Sequence, residues 1–304
     1  MTKNPVVNEP KMHKKRKVEG MDITAVIIIS IFAILIILPF WSSVMISLTT
    51  ESDYMRNKFV LWPATFTFES YKTLFTGKSI FIGYSNTLYH IAFGLPISMF
   101  LTISMGYVLS RPHFPGKKIF TTFVMITMLF GGGMIPTFLL VKELGLINNR
   151  WAVILTNLLS TYNCILMSSY IRTLPASLFE SARLDGAGES KILFSIVLPL
   201  SLPIIATLSL FYLVGKWNEW WSSMMYLNKN NLMPLQMVLR NLIESAQVVA
   251  EQGFESLSQT QAEKAFTMGM KMAAIVVTML PVMLVFPFLQ KYFMKGITIG
   301  AVKE

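Results

Sequence analysis

Charged side chains are scarce in this sequence. Only 14% of the 304 residues are Asp, Glu, Lys or Arg, whereas an ordinary soluble domain carries about 25%. Hydrophobic residues make up 53% of the chain. Because so few charged residues cannot cover the surface of a soluble protein of this length, the composition excludes an ordinary soluble domain and predicts an integral membrane protein.

Residues that carry out chemistry are also few. The single cysteine, Cys164, cannot form an internal disulfide, and the three histidines, His13, His90 and His113, lie far apart in the sequence. The sequence contains no phosphate-binding glycine loop, no zinc-protease helix motif and no metal-spaced group of Cys and His. We therefore predict that the chain is not an enzyme and binds no cofactor of its own.

Long apolar runs without Asp, Glu, Lys or Arg divide the chain. Each is near or above the ~20 residues that a membrane-crossing helix needs, and there are six: 23–50, 79–110, 119–141, 151–171, 192–215 and 272–290. We predict an all-α, six-span membrane domain over residues 22–295. Ion-driven transporters generally keep charged residues within their spans, at a cost of about 2.5–3.5 kcal/mol each. Since these runs contain none, the energy for any transport is expected to come from outside the spans.

The distribution of basic residues predicts the topology. Fifteen of the 26 Lys and Arg residues fall in the segments 1–21, 111–119, 172–191 and 291–304. The positive-inside rule places these segments, and both termini, in the cytoplasm. Residues 1–21 then form a basic arm on the anionic inner leaflet, and residues 296–304 form a cytoplasmic tail. The net charge of +10 is explained by topology and lipid contact, without nucleic acid.

A short polar loop with two glycines, residues 172–191, separates the fourth run from the fifth. Pro175 is suited to begin a helix, and glycine reaches positive φ without penalty, so the chain can turn at Gly186 and Gly188. Glu189 then falls in the first turn of a second helix, where the helix dipole favours an anion. The pattern predicts a cytoplasmic helix-turn-helix, and an ordinary loop with two turn glycines is the alternative. The central residues are Glu180, Ser181, Ala182, Arg183, Leu184, Asp185, Gly186, Ala187 and Gly188, followed by Ile196, Val197, Leu198 and Pro199.

This loop resembles the cytoplasmic signature of the membrane-spanning subunits of bacterial ABC importers. In that signature Glu-Ala-Ala, a Gly four positions beyond the last Ala, and Ile-x-Leu-Pro recur in order. Ala182 matches the second alanine, and Ser181 replaces the first with a side chain that is still small. Further stretches are similar to the carbohydrate-uptake branch, namely the maltose-type second permease and the lipoprotein-linked oligosaccharide permeases of Gram-positive bacteria. They are residues 132–137, 217–220 and 291–303.

The resemblance implies a fold, a set of partners and a group of site residues. The fold is that of a type I ABC importer permease in a bacterial cell membrane, with a cytoplasmic coupling helix. The partners are a homologous second permease, two cytoplasmic subunits that bind ATP and Mg, and an external solute-binding lipoprotein, and the cargo is a sugar or oligosaccharide. Glu180 would pair with a basic residue of the ATPase, and Gly186 would form the bend. The implied coupling residues are Glu180, Ser181, Ala182, Asp185, Gly186, Ala187 and Gly188.

A second group of residues is a candidate solute pathway. Gly132 and Gly133 lie in the third run, and Asn157, Tyr162 and Asn163 lie in the fourth. A kink or a close helix crossing would also explain the glycines. Hydrogen bonds between helices explain the polar residues as well as contact with a sugar does, so both alternatives stay open.

The predicted external segment, 216–271, is the candidate docking surface for the solute-binding protein. Its apolar residues recur at helical spacing, which predicts a helix with one apolar face. Such a face covers either the same protein or a second one. We predict that it docks the solute-binding protein through Trp217, Trp220, Leu235 and Leu239.

Two other classes of function remain open at this stage. An ion-coupled secondary transporter would take up solute as the purified chain under an ion gradient. A non-transporting membrane scaffold would bind a cytoplasmic protein without dependence on nucleotide. Co-purification with an ATP-binding subunit separates both from the ABC importer.

Overall fold

The computed structural model describes residues 20–112, 114–251 and 267–301. Within these ranges the chain is helical, and extended pairing is limited to one isolated bridge between Thr49 and Phe66. The long helices are α1 (Gly20–Ser47), α4 (Ser79–Ser110), α12 (Leu202–Trp217), α14 (Leu235–Glu251) and α15 (Thr267–Ala301).

Shorter helices connect the long ones. They are α2 (Glu51–Arg56), α3 (Glu69–Thr76), α5 (Lys117–Leu129), α6 (Met134–Glu143), α7 (Arg150–Thr156), α8 (Thr161–Arg172), α9 (Ala176–Leu184), α10 (Glu189–Ile192), α11 (Leu198–Leu200) and α13 (Trp221–Tyr226). A π-helical turn, Leu193–Val197, precedes α11, and a 3₁₀ turn, Asn230–Leu232, follows α13.

The apolar runs form three continuous helices and three bent pairs. The segments Ile23–Ser47, Ser79–Ser110 and Met268–Val285 are each long and apolar enough to cross a membrane. The other runs fold as α5 with α6, α7 with α8, and Glu189–Leu200 with α12, bent by 106°, 49° and 81°. Among the described residues, six crossings therefore require that each bent pair makes one crossing.

Glycine forms the sharpest of these bends. Gly133 caps the N-terminus of α6 with a φ of +87°, in the region that other residues rarely adopt. A Cβ added at Gly131 or Gly132 would meet nothing within 4 Å. The sequence left a kink, a close helix crossing and contact with solute as explanations for these glycines. The structure shows the bend, and it shows no close crossing with another described helix at Gly131 or Gly132.

Local side-chain chemistry explains the other two breaks. At the break between α7 and α8, Ser160 accepts a hydrogen bond from the Asn163 amide and caps α8, and Asn149 caps the start of α7 in the same way through the Trp151 amide. In the third pair, Ser201 ends α11, and Pro203 follows in the first turn of α12, where its missing N–H does no harm. These caps position the polar residues of the fourth run.

Helix α4 is the centre of the packing. At Gly106 it crosses α8 so closely that an added Cβ would lie 2.6 Å from Cγ of Met167. Small residues permit such close approach between helices in a membrane. One apolar cluster then joins α4, α8, the loop and α12, and contains Met99, Tyr107, Met167, Ile171, Ala182, Ile192, Val197, Leu208 and Tyr212.

Helix α14 has the amphipathic character predicted for the external segment, but its apolar face turns inward. Leu235 and Leu239 are buried, at 0% and 5% exposure, and pack with Trp217, Ile80 and Ala274. The predicted docking of a second protein through Trp217, Leu235 and Leu239 is therefore wrong, because these side chains already cover the chain's own helices.

The predicted segment boundaries differ from the structure at several points. Helix α12 extends through Lys216 and Trp217, and α15 already begins at Thr267, so the segment predicted as 216–271 is shorter at both ends. Residues 296–301, predicted as part of a tail, continue α15. Most of the basic arm 1–21, and residues 302–304, lie outside the described residues.

Helix α1 packs loosely on the rest of the chain. Its apolar side chains from Ile23 to Trp41 are largely exposed, while Met45 and Ile46 near its end are buried. A helix that is apolar all round and exposed within its own chain needs lipid or a membrane partner around it.

Candidate functional site

The loop between α8 and α10 consists of α9 and a tight turn that leads into α10, a helix-turn-helix. Gly186 has a φ of +75°, its amide donates to the Arg183 carbonyl at 3.0 Å, and the Ala187 amide donates to the Ala182 carbonyl at 2.9 Å. These two bonds form the Schellman motif that ends helices at a left-handed residue. Ala182 is buried, and Ala187 packs on the same cluster. The predicted turn at Gly186 is present, whereas Gly188 has a φ of −70°, which other residues adopt readily.

Glu189 fastens this loop to the end of α4. Tyr107 donates a hydrogen bond to Glu189 Oε2 at 2.6 Å, and Arg111 Nε lies 3.3 Å from the same oxygen. Arg183, on α9, donates to Glu189 Oε1 at 2.9 Å. Arg111 also donates to the Tyr107 hydroxyl and stacks over the Phe179 ring at 4.4 Å. One carboxylate thus connects α4, α9 and α10.

The environment of Glu189 favours its ionised form. The pKa of this carboxyl lies below its usual value, first because Tyr107 donates a hydrogen bond to it, and further because of Arg183 and Arg111; partial burial opposes the effect. Since the folded-state pKa is lowered, the contribution of these contacts is present at neutral pH and is lost as the pH falls through that pKa.

The outer side of α9 is exposed in the described chain. Leu184 is 89% exposed, and Glu180, Ser181 and Asp185 are also exposed. A groove of about 360 Å³ beside Glu180 is lined by basic side chains from four parts of the fold, namely Arg111 after α4, Lys117 on α5, Arg172 on α8 and Arg183 on α9. Of these exposed residues, Glu180, Ser181 and Asp185 belong to the predicted coupling residues and Leu184 does not, although an apolar residue two positions before a helix-ending glycine was a usable signal.

A polar cavity of about 490 Å³ lies between α4, α7, α8 and α12. Its volume falls within the ~300–1,000 Å³ of typical small-molecule sites. Polar side chains from all four helices and from the turns beside them line it: His90, Thr156, Asn157, Ser160, Tyr162, Asn163, Tyr212, Lys216 and Glu219. The structure thus brings Asn157, Tyr162 and Asn163 together, as the solute-pathway prediction requires, while Gly132 and Gly133 do not line this cavity.

Asn157 is engaged within the chain. Its Nδ2 atom donates to Glu219 Oε2 at 3.0 Å and to the Ser222 hydroxyl at 2.7 Å. Glu219 Oε1 accepts from the Ser222 amide at 2.7 Å. Asn157 therefore makes hydrogen bonds within the chain, which was the alternative to contact with a sugar.

Two buried polar groups of the cavity lack matching partners. Lys216 is 7% exposed, and no described carboxylate lies within 4.0 Å of its ammonium. Its Nζ donates only a long bond, 3.5 Å, to the Asn157 carbonyl. His90 is 2% exposed, and neither ring nitrogen has a hydrogen-bond partner among the described residues. Lys216, predicted as the first residue of the external segment, lies in the last turn of α12 with its side chain turned inward.

Apolar helices that are bent around a polar cavity, with a loop fixed to the end of one span, define a helical membrane permease. In line with this, residues 94–299 match the family described as "Binding-protein-dependent transport system inner membrane component". The chain belongs to this family. It is the permease of an ABC importer, a transport subunit that is not itself an enzyme.

Two proteins of Bacillus subtilis (strain 168) show how far the sequence similarity extends. The protein LplC is 36% identical over 292 residues, covering 96% of this chain and 98% of LplC. The polygalacturonan/rhamnogalacturonan transport system permease protein YtcP is 40% identical over 276 residues, covering 90% of this chain and 94% of YtcP.

A solved structure has the same fold. One chain of a bacterial ABC transporter involved in the import of the acidic polysaccharide alginate superposes with a TM-score of 0.80 at 28% identity. The match covers 93% of this chain and 100% of that chain. The helical fold therefore agrees with that of an ABC importer over nearly its full length.

Proposed function

We propose that this chain is one of two permease subunits of an ATP-driven importer for sugars or oligosaccharides. A homologous permease completes the pathway, two cytoplasmic subunits bind ATP and Mg, and an external solute-binding protein delivers the cargo. The polysaccharide names of YtcP and of the alginate transporter support the cargo class. The observation that carries the coupling role is the attachment of the loop to α4 through Glu189.

The packing supports a route for mechanical work through the loop. The exposed side of α9, with Glu180 and Leu184, faces the ATP-binding subunit, and its buried side holds Ala182 in the cluster of α4, α8 and α12. Displacement of α9 therefore moves helices that line the polar cavity. Coupling then needs a stiff loop, because a loop that bends locally would absorb the displacement.

The same proposal assigns the orientation. The loop and both termini face the cytoplasm, each bent pair makes one crossing, and the exposed face of α1 contacts lipid and the second permease. Of the predicted docking residues, Trp220 remains available in part. It lies next to the half-exposed Trp221 on the external side, where the solute-binding protein docks.

Reversal of the charge at Glu180 is expected to weaken docking of the ATP-binding subunits. Glu180→Lys replaces an exposed carboxylate on α9 by a cation, next to a groove already lined by Arg111, Lys117, Arg172 and Arg183. We expect at least about a tenfold loss of co-purified ATP-binding subunit, which corresponds to ~1.4 kcal/mol, and a parallel loss of sugar-stimulated ATP hydrolysis.

Glu51→Lys is the matched control. Glu51 is also exposed and lies in the first turn of α2, on the side that the proposal makes external. This variant should retain the ATP-binding subunits. Wild-type co-purification of the Glu180→Lys variant would remove Glu180 from the interface, and a chain that never co-purifies with an ATP-binding subunit would contradict the proposed function.

A further inference from the structure

We propose that the polar cavity binds a sugar that carries a carboxylate, with the Lys216 ammonium as its counter-ion. This inference rests on the proposed function and narrows its substrate to the acidic sugars. It places a solute-binding site in this subunit, on α4, α7, α8 and α12.

The first argument is the cost of the buried ammonium. An isolated charge is expensive to bury unless an ion pair or several hydrogen bonds compensate for it, and ionisable residues within a membrane domain are mostly functional. Within bonding distance Lys216 has the 3.5 Å bond to the Asn157 carbonyl and the face of the Tyr212 ring, whose centroid lies 5.9 Å away, and the Glu219 carboxylate acts on it from a longer distance. These contacts leave ammonium donors free for a ligand.

The second argument is the space kept for this side chain. A Cβ at Gly94 would lie 2.8 Å from Lys216 Nζ and 3.0 Å from its Cε. The absence of a side chain at Gly94 therefore leaves room for the end of the lysine against α4, and the lysine lines the cavity. A side chain at Gly94 would displace the ammonium from this position.

The third argument comes from the other groups that line the cavity. Both ring nitrogens of the buried His90 are without partners among the described residues, and Ser160 and Asn163 add hydroxyl and amide groups. The ring of Tyr162, 53% exposed, offers a flat surface for the apolar face of a sugar. The hydroxyl groups of a sugar can donate hydrogen bonds to these side chains and accept hydrogen bonds from them.

The charge balance favours a carboxylate over a phosphate. Glu219 lines the same cavity, with its oxygens engaged by Asn157 and by the Ser222 amide. The Glu219 carboxylate repels any anion in the cavity, and it repels a doubly charged phosphate more strongly than a singly charged carboxylate. Arg150, which stacks over Tyr89 at 5.0 Å, adds positive potential on the α7 side.

The test is direct binding to the purified complex of both permeases and the ATP-binding subunits in lipid nanodiscs. The solute-binding protein is omitted, so that its own preference does not enter. The probes are trigalacturonate and its uncharged methyl ester, titrated by calorimetry. We expect the wild type to bind the acid at least about tenfold more tightly than the ester, and Lys216→Met to remove this difference while affinity for the ester stays the same.

Two further variants keep the test independent of folding. Lys229→Met removes an exposed lysine outside the cavity and should keep the tenfold preference. Gly94→Ala retains every charge but pushes the Lys216 ammonium aside, so it should lower affinity for the acid only. Assembly of each complex is checked by size-exclusion chromatography.

Two results would overturn the inference. The first is an acid preference that persists in Lys216→Met, and the second is equal binding of acid and ester by the wild type. Neither result would affect the proposed function if ATP-driven sugar uptake continues. A complex that takes up no sugar with ATP would instead contradict the proposed function, and this inference with it.

Discussion

Gly186→Val is expected to abolish sugar uptake while the complex continues to hydrolyse ATP. Gly186 has a φ of +75° and closes the Schellman motif at the end of α9. A β-branched residue resists this conformation, at a cost of about 1–3 kcal/mol. Because α9 would then unwind or change direction at its end, its displacement would no longer reach α4. We expect uptake to fall at least about tenfold, with ATP hydrolysis within about twofold of the wild type.

The matched controls separate conformation from size. A Cβ at Gly186 meets nothing within 4 Å, and neither does one at Gly188. Gly188 has φ −70° and ψ 162°, an extended conformation that valine favours. Gly188→Val should therefore import sugar normally, and Gly186→Asn, which tolerates positive φ, should retain most uptake. Normal uptake by Gly186→Val would show that the turn is not needed.

Glu189→Lys should also cause a large loss of coupling. The substitution removes the acceptor for Tyr107, Arg111 and Arg183 and places a third cation between two guanidinium groups. Half-exposed ion pairs are worth only ~0–1 kcal/mol, and a hydrogen bond to a charged group ~1.5–3 kcal/mol before exposure is allowed for. A combined loss on the order of 2 kcal/mol would weaken the attachment of the loop to α4, which the apolar cluster around Ala182 would then hold alone. We expect about a tenfold or greater decrease in sugar imported per ATP hydrolysed.

Two comparisons make this result specific. Glu189→Gln keeps the size and one acceptor oxygen, so its effect should be smaller than that of lysine. Glu143→Lys reverses an exposed carboxylate at the end of α6, far along the chain from the loop, and should have no effect. If complexes with Glu189→Lys and with Glu143→Lys imported equal amounts of sugar per ATP hydrolysed, the contacts between Glu189 and α4 would not be needed for coupling.

The loop illustrates what the sequence could predict. Glycine at Gly186, small residues at Ala182 and Ala187, and an acid at the start of α10 are local signals, and the hydrogen bonds of the turn at Gly186 join residues only a few positions apart. The partners of Glu189 on α4 were not predictable in the same way. Tyr107 is separated from it by 82 residues, and the sequence alone does not show which span ends meet.

The interior of the helical bundle was harder to predict. Lys216 follows the fifth apolar run directly. The end of an apolar run at a charged residue does not mark the end of the helix, and α12 continues to Trp217. Helical spacing shows that α14 has an apolar face, but it does not show which neighbour that face packs against. The sequence alone therefore leaves open whether the face covers its own chain or another protein. The structure places this face against α4 and α15.

The most direct measurement of the central claim uses sealed vesicles that contain both permeases and enclose the ATP-binding subunits, with the solute-binding protein outside. Sugar uptake is compared with and without these subunits, under an imposed proton or sodium gradient. The account predicts uptake only when the ATP-binding subunits and ATP are present inside. Uptake driven by an ion gradient in their absence would contradict the claim that energy enters through the loop at Gly186.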